Sequence, residues 1–213
     1  MTIQVKICGL NSPEAVEAAF GGGADFVGFV FFAKSPRFVT PSQAAKLCGL
    51  VGAGVRKVGL VVNADDAALD EIVNVAKPDM LQLHGKESPA RVAEIKEKFG
   101  LPVMKAISIG SAGDVVRSHM YDACADMLLF DAKPPEKSTL PGGNAVSFDW
   151  HLLAADHWDV PWMLAGGLDA TNVTDAVEQS GASAVDVSSG VEDRPGVKNT
   201  YKISEFLKIA KQI

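Results

Sequence analysis

The chain has 213 residues, 47% of them hydrophobic, and a formal net charge of -6. That is enough apolar material for one large core, while the acidic balance argues against nucleic acid as a partner, because a grip on phosphates requires clustered lysine and arginine. Three widely spaced cysteines with no CxxC pair suggest neither a disulfide framework nor a zinc site and fit a reduced, cytoplasmic setting, and neither a signal-peptide start nor a membrane-spanning apolar run is found.

The first element is the apolar run Ile3 to Gly9, a buried strand that delivers Cys8 to its carboxyl end. An Asn11/Ser12 cap starts a helix at Pro13 to Phe20, and Gly21-Gly22-Gly23 stops it. Asp25 to Phe31 is a strand apolar on both faces, as expected under covering helices, followed by a polar loop, Lys34 to Val39, and a helix start at Thr40-Pro41. Val58 to Val62, Met80 to His84, Pro102 to Ile107 and Met127 to Phe130 read as further strands. Between them fall helices at Asp65 to Val75, Pro89 to Phe99 and, more weakly, Gly113 to Met120. A long loop from Lys133 to Ala145 precedes a helix from Phe148, a strand at Trp162 to Ala165, a helix at Ala170 to Gln179, a strand at Ala184 to Val187 and a closing helix at Ile203 to Gln212.

Eight strands alternating with about eight helices is the pattern of an α/β protein folded as a single (β/α)8 TIM barrel over residues 1–213, since no linker or charge block divides the chain. An open doubly wound sheet is the competitor, but the first strand is not followed by G-x-G-x-x-G and the chain continues to an eighth unit.

In such a barrel the strand carboxyl ends converge on one face. In strand order they carry Cys8, Arg37, Asn63, His84, Ile107, Asp131, Gly166 and Asp186 with Ser188. Lys6 shares a strand face with Cys8 about 7 Å away, close enough to favour the thiolate, although most free cysteines act as small buried hydrophobes. Asp131 ends an apolar strand and is placed to be a general acid kept protonated by desolvation; a lone aspartate is more often a cap or a partner of a nearby lysine such as Lys133. Gly142-Gly143 would let backbone approach a ligand or make a mobile turn. Gly166-Gly167 and Ser188-Ser189-Gly190 occupy the two loops where barrels often cradle phosphate. Arg37 can clamp a carboxylate, and His84 can face the site or fill its wall. His119, His151 and His157 lack metal-ligand spacing, so no metal is assigned.

Taken in order, Lys6-Ile7-Cys8-Gly9, Gly28-Phe29-Val30-Phe31 with Ser35-Pro36-Arg37, Leu81 to Gly85, Asp131 with Leu140-Pro141-Gly142-Gly143 and Phe148-Asp149-Trp150, Leu164 to Leu168, and Asp186 to Glu192 make a chain that resembles phosphoribosylanthranilate isomerase of tryptophan biosynthesis along nearly its whole length. The resemblance implies an Amadori rearrangement of N-(5-phosphoribosyl)anthranilate, a phosphorylated aminosugar, needing one acid, one base and no cofactor. Asp131 would protonate the furanose oxygen and Cys8 would take the C2 proton. Arg37 would hold the anthranilate carboxylate, the two late loops would hold phosphate, and His84 and Asp186 match motif positions. Where the family commonly shows Gly-Gly-Thr-Gly, this chain has Gly142-Gly143-Asn144-Ala145. A related histidine-pathway isomerase would place an aspartate at Cys8, and a pentose-phosphate epimerase would need a metal set that is missing from the sequence. Monomer and homodimer are equally compatible with the sequence.

Overall fold

The computed structural model describes residues 2–135, 138, 140–143 and 146–213. Eight strands, β1 Gln4–Cys8, β2 Phe26–Val30, β3 Arg56–Val61, β4 Met80–Leu83, β5 Val103–Ile109, β6 Met127–Ala132, β7 Trp162–Leu164 and β8 Ala184–Val187, form a closed parallel barrel in sequence order. Between and after them run α1 Pro13–Gly21, α2 Pro41–Cys48, α3 Asp66–Glu71, α4 Pro89–Phe99, α5 Ala112–Ser118, α6 His151–Ala154, α7 Val173–Ser180 and α8 Thr200–Ala210. The (β/α)8 expectation is met.

Local chemistry sets the helix starts. Ser12, Thr40, Asp65 and Ser88 each accept a backbone N–H with their side chains, and Pro13, Pro41 and Pro89 occupy the first helical turn, where a missing N–H does no harm. Gly100 and Gly181 end α4 and α7 in the left-handed conformation.

Strand alternation divides the side chains between two cores. Outward-facing Val5, Ile7, Val27, Phe29, Leu81, Leu83, Leu128, Phe130 and Val185 pack against the helices. Inward-facing Phe26, Val58, Met80, Met104, Met127, Leu129 and Met163 fill the lower barrel, and Cys8, Val30 and Leu60 cluster nearer the mouth. Each large side chain so buried contributes roughly 1.5–3 kcal/mol. Beside that small cluster the inward positions above the apolar plug carry the buried polar side chains of Lys6, Gln82, Asp131 and Asp186.

Several boundaries differ from the sequence reading. β6 runs to Ala132, so Asp131 lies in the strand rather than after it, because Ser108 and Ile109 of β5 pair with Asp131 and Ala132. The helix expected from Phe148 is a single turn, α6, since the chain is drawn off to bury Trp158 against Phe130 and Trp162. α3 continues as a π-helical turn over Ile72–Ala76. A short hairpin, β9 Glu192–Arg194 and β10 Val197–Lys198, stands between β8 and α8 where no strands were expected.

Candidate active site

The strand ends open into a cavity of about 780 Å³, its open mouth included. Cys8, Arg37, His84, Asp131, Gly142, Gly143, Gly166, Gly167, Asp186, Ser188 and Ser189 all line it. Gly190 does not; it serves the turn beneath, where a Cβ would overlap the Leu168 carbonyl. Asn63 and Ile107 lie off the cavity: Asn63 latches the Lys86 N–H from a left-handed turn, and Ile107 packs outward. Asn144 and Ala145 fall outside the described residues.

On the base side, β1 stands between β8 and β2. Lys6 is fully buried and donates to Asp186 Oδ1 at 2.9 Å, its register partner across the closure of the barrel. Gly28 faces Cys8 from β2, and a Cβ there would sit 2.9 Å from the thiol sulfur and 3.3 Å from Lys6 Cε. Burial pushes the Cys8 thiol above its ordinary pKa; Lys6 pulls it down without cancelling that, and Asp186 pushes it up. Burial works against the Lys6 ammonium too, but Asp186 and the thiol outweigh it and hold its pKa raised. In the free protein burial therefore outweighs the pull of Lys6 on the thiol, and Asp186 shares the ammonium with it.

On the acid side, Asp131 is nearly enclosed, with Oδ1 accepting the Ala132 N–H at 2.8 Å and Oδ2 3.3 Å from His84 Nε2. His84 is steered from below by the Gln82 amide, 2.9 Å from Nδ1. Gly142 lets the loop backbone close over this pair: a Cβ there would overlap Asp131 Oδ2 and stand 2.7 Å from His84 Nε2. Gly166 does the same from the other side, where a Cβ would fall 2.6 Å from the Ala132 nitrogen and 3.2 Å from Asp131 Oδ1.

Gly166 and Gly167 both have φ in the left-handed region, +91° and +66°, and Asn172 holds the turn by donating to the Gly167 carbonyl at 2.9 Å. Among the described residues, no backbone carbonyl accepts the N–H groups of Gly166, Gly167, Ser189 or Gly190. Such unpaired donors, in a site flanked by cationic side chains, suit an oxyanion.

Sequence reasoning missed Glu192 and Lys198. Arg37 is 5% exposed, and its Nε and Nη2 donate to Glu192 Oε1 and Oε2 at 2.8 and 2.9 Å, so one edge of the guanidinium is already taken by a carboxylate of the protein. Lys198 Nζ donates to Glu192 Oε1 and to the Ser188 carbonyl, both at 2.8 Å. The Ser188 hydroxyl in turn donates to the Cys8 carbonyl at 3.1 Å. Burial opposes ionisation of Glu192, but Arg37 and Lys198 outweigh it and hold its carboxyl low, while burial pulls the Lys198 ammonium down. The available signal was the charged stretch Glu192 to Lys198 with Pro195-Gly196 at its centre, a hairpin pattern.

Val30, Phe32, Leu60, Val62 and Leu168 supply the apolar part of the cavity lining. Among the described residues no group of three or more His, Cys, Asp or Glu is placed to hold a metal ion, and no helix is long and apolar enough to cross a membrane.

The family model described as N-(5'phosphoribosyl)anthranilate (PRA) isomerase matches residues 5–209. The N-(5'-phosphoribosyl)anthranilate isomerase of Paramagnetospirillum magneticum is 54% identical over 211 residues, 99% of this chain and 98% of that protein. The phosphoribosyl anthranilate isomerase structure from Thermotoga maritima is similar with a TM-score of 0.88 at 34% identity, covering 99% of this chain and 100% of that one. A phosphoribosyl anthranilate isomerase solved with reduced 1-(o-carboxyphenylamino)-1-deoxyribulose 5-phosphate gives a TM-score of 0.86 at 32% identity over the same shares.

Proposed function

The chain belongs to the N-(5'-phosphoribosyl)anthranilate isomerase family, and from that premise we propose how the residues around its cavity divide the work. The reaction converts N-(5-phosphoribosyl)anthranilate to 1-(2-carboxyphenylamino)-1-deoxyribulose 5-phosphate, an aldose-to-ketose isomerisation in tryptophan biosynthesis.

Asp131 is the acid. It gives its proton to the furanose oxygen as the amine lone pair opens the ring, leaving an iminium at C1 and a carboxylate at Asp131. The close cover of Gly142 and Gly166 supports this role, since it keeps water from the carboxyl. Cys8 is the base. Its thiolate takes the C2 proton, the electron pair moves into the C1–C2 bond to quench the iminium, and the enolamine tautomerises to the ketone. The iminium lies one bond from C2, so its charge draws the thiol toward thiolate at the step that needs it.

Arg37 holds the anthranilate carboxylate through the guanidinium edge that Glu192 leaves open, with Gly143 setting the adjacent backbone. The Gly166-Gly167 and Ser188-Ser189-Gly190 loops hold the phosphate, and the apolar wall takes the aromatic ring. His84 steadies Asp131, and Asp186 steadies Lys6 beneath the thiol. We take residues 1–213 as one catalytic domain working in the cytoplasm, a setting its three free cysteines suit.

The observation that carries this reading is that Cys8 and Asp131 face one cavity from inward positions at the carboxyl ends of β1 and β6. Cys8→Ala and Asp131→Asn are each expected to lower kcat by about 10²–10⁴ with little change in melting temperature. Substrate fluorescence, with the substrate made in place from anthranilate and phosphoribosyl pyrophosphate, measures it. A folded variant keeping a tenth or more of wild-type kcat would overturn the role of that residue.

A further inference from the structure

A guanidinium has two edges that can meet a carboxylate in bidentate fashion, Nε with Nη2 and Nη1 with Nη2. In Arg37 the first is given wholly to Glu192; Nη2 also reaches the Gly143 carbonyl at 3.4 Å, and among the described residues Nη1, the other nitrogen of the second edge, has no hydrogen-bond partner, in a side chain that lines the cavity. Glu192 does not line the cavity; it reaches it directly through Arg37 and, one bond further off, through Lys198 and the Ser188 carbonyl.

The grip on Glu192 is built by the β9–β10 hairpin. Lys198 is its cross-strand partner, the Gly196 N–H donates to Glu192 Oε2 at 3.2 Å, and Lys202 donates to its backbone carbonyl at 2.7 Å. The hairpin turn is pressed on the loop that carries Arg37: Gly196 has a φ of +81°, and a Cβ there would overlap the Pro36 carbonyl. Asn11 donates to the Gly196 carbonyl at 2.9 Å and pins the turn from the β1 side.

Charge makes this more than a strut. A buried carboxylate paired with a single arginine would cancel it, whereas here one carboxylate is shared by two basic side chains, so that in formal charges the cluster of Arg37, Lys198 and Glu192 is left one positive. An arginine held rigidly and left net positive is suited to a second, incoming carboxylate.

We propose that Glu192 is a positioning residue that sets substrate specificity: by fixing one edge of Arg37 it aims the other at the cavity, selecting aminosugars whose aromatic ring bears an ortho carboxylate. The inference rests on the reading that Arg37 receives that carboxylate.

The test compares two substrates formed in place from ribose 5-phosphate, one with anthranilate and one with aniline, which lacks the carboxylate. Glu192→Gln is expected to raise KM for the anthranilate derivative at least tenfold with kcat changed less than threefold, and to leave both constants for the aniline derivative within about twofold of wild type. In an Arg37→Lys background the same change is expected to add little, because its route of action is gone. Equal losses on both substrates from Glu192→Gln, with Arg37→Lys still discriminating between them, would overturn the inference and leave the carboxylate reading intact. Equal losses on both substrates from Arg37→Lys would overturn the reading beneath it. Should Glu192→Gln not fold, Glu192→Asp keeps the charge while withdrawing it from Arg37, and its losses are judged the same way.

Discussion

Two lysine–carboxylate pairs are buried in this barrel with the same 2.9 Å separation, Lys6 with Asp186 and Lys105 with Glu87, and they do different work. Lys105 stands on the outward face of β5 and spends its three donors on the Leu83 and Gly85 carbonyls and on Glu87, whose oxygens also accept the N–H groups of Asn63 and Gly85. Nothing is left over, and the pair is a staple between the loops that follow β3 and β4. Lys6 makes one bond to Asp186, keeps the rest of its charge for Cys8, and among the described residues the other Asp186 oxygen meets no donor. A saturated pair holds structure, and an unsaturated one leaves charge for a neighbour to use.

Breaking the saturated pair is expected to do the most damage. Glu87→Ala strands a buried ammonium and should lower the unfolding free energy by about 3–5 kcal/mol, read by urea titration. A change under about 1 kcal/mol would erase the distinction between the pairs. At the unsaturated pair, Gly28→Ala should push the thiol and Lys6 aside, lowering kcat/KM by about 100-fold while the fold loses roughly 1–3 kcal/mol.

Subtler is the pair of changes Lys6→Met and Asp186→Asn. The first removes attraction for the thiolate and should move Cys8 ionisation to higher pH; the second removes repulsion and should move it lower. Alkylation of the Cys8 peptide by iodoacetamide against pH, followed by mass spectrometry, reads both, and shifts of the same sign would break the account. The smallest effect belongs to a half-exposed counterpart, His119, whose pKa is raised by its hydrogen bond to Asp122, with Asp156 adding to it. Its contribution, under about 1 kcal/mol, is present below the ordinary histidine pKa of about 6.5 and lost as pH rises through the raised folded value. The stability gap between wild type and His119→Gln should be widest near pH 5.5 and closed at pH 9.

The strands were legible because each is a short apolar run ended by glycine or a polar residue, and the residues at their carboxyl ends follow from counting. Asp131 was placed just beyond its strand because pairing with Ser108 is a property of β5, not of the segment itself. The single-turn α6 was overread because local helical spacing gave way to burial of Trp158. Partnerships were the least legible: Lys6 and Asp186 are 180 positions apart and Arg37 and Glu192 are 155, so the local pattern around either member says nothing of the other. That is why Lys6 read as a free activator of the thiol and Arg37 as an empty clamp.

The closure of β8 onto β1 also fixes when the protein becomes an enzyme. During synthesis Cys8 is made early, but Asp186 and Ser188, which neutralise the lysine beneath it and anchor its carbonyl, arrive only with the last strand. Before that moment the thiol lacks its second neighbouring strand and the carboxylate that pairs with Lys6. A chain stopped short of β8 lacks Asp186, Ser188 and Ser189, all of which line the cavity. Activity arrives with closure, all at once.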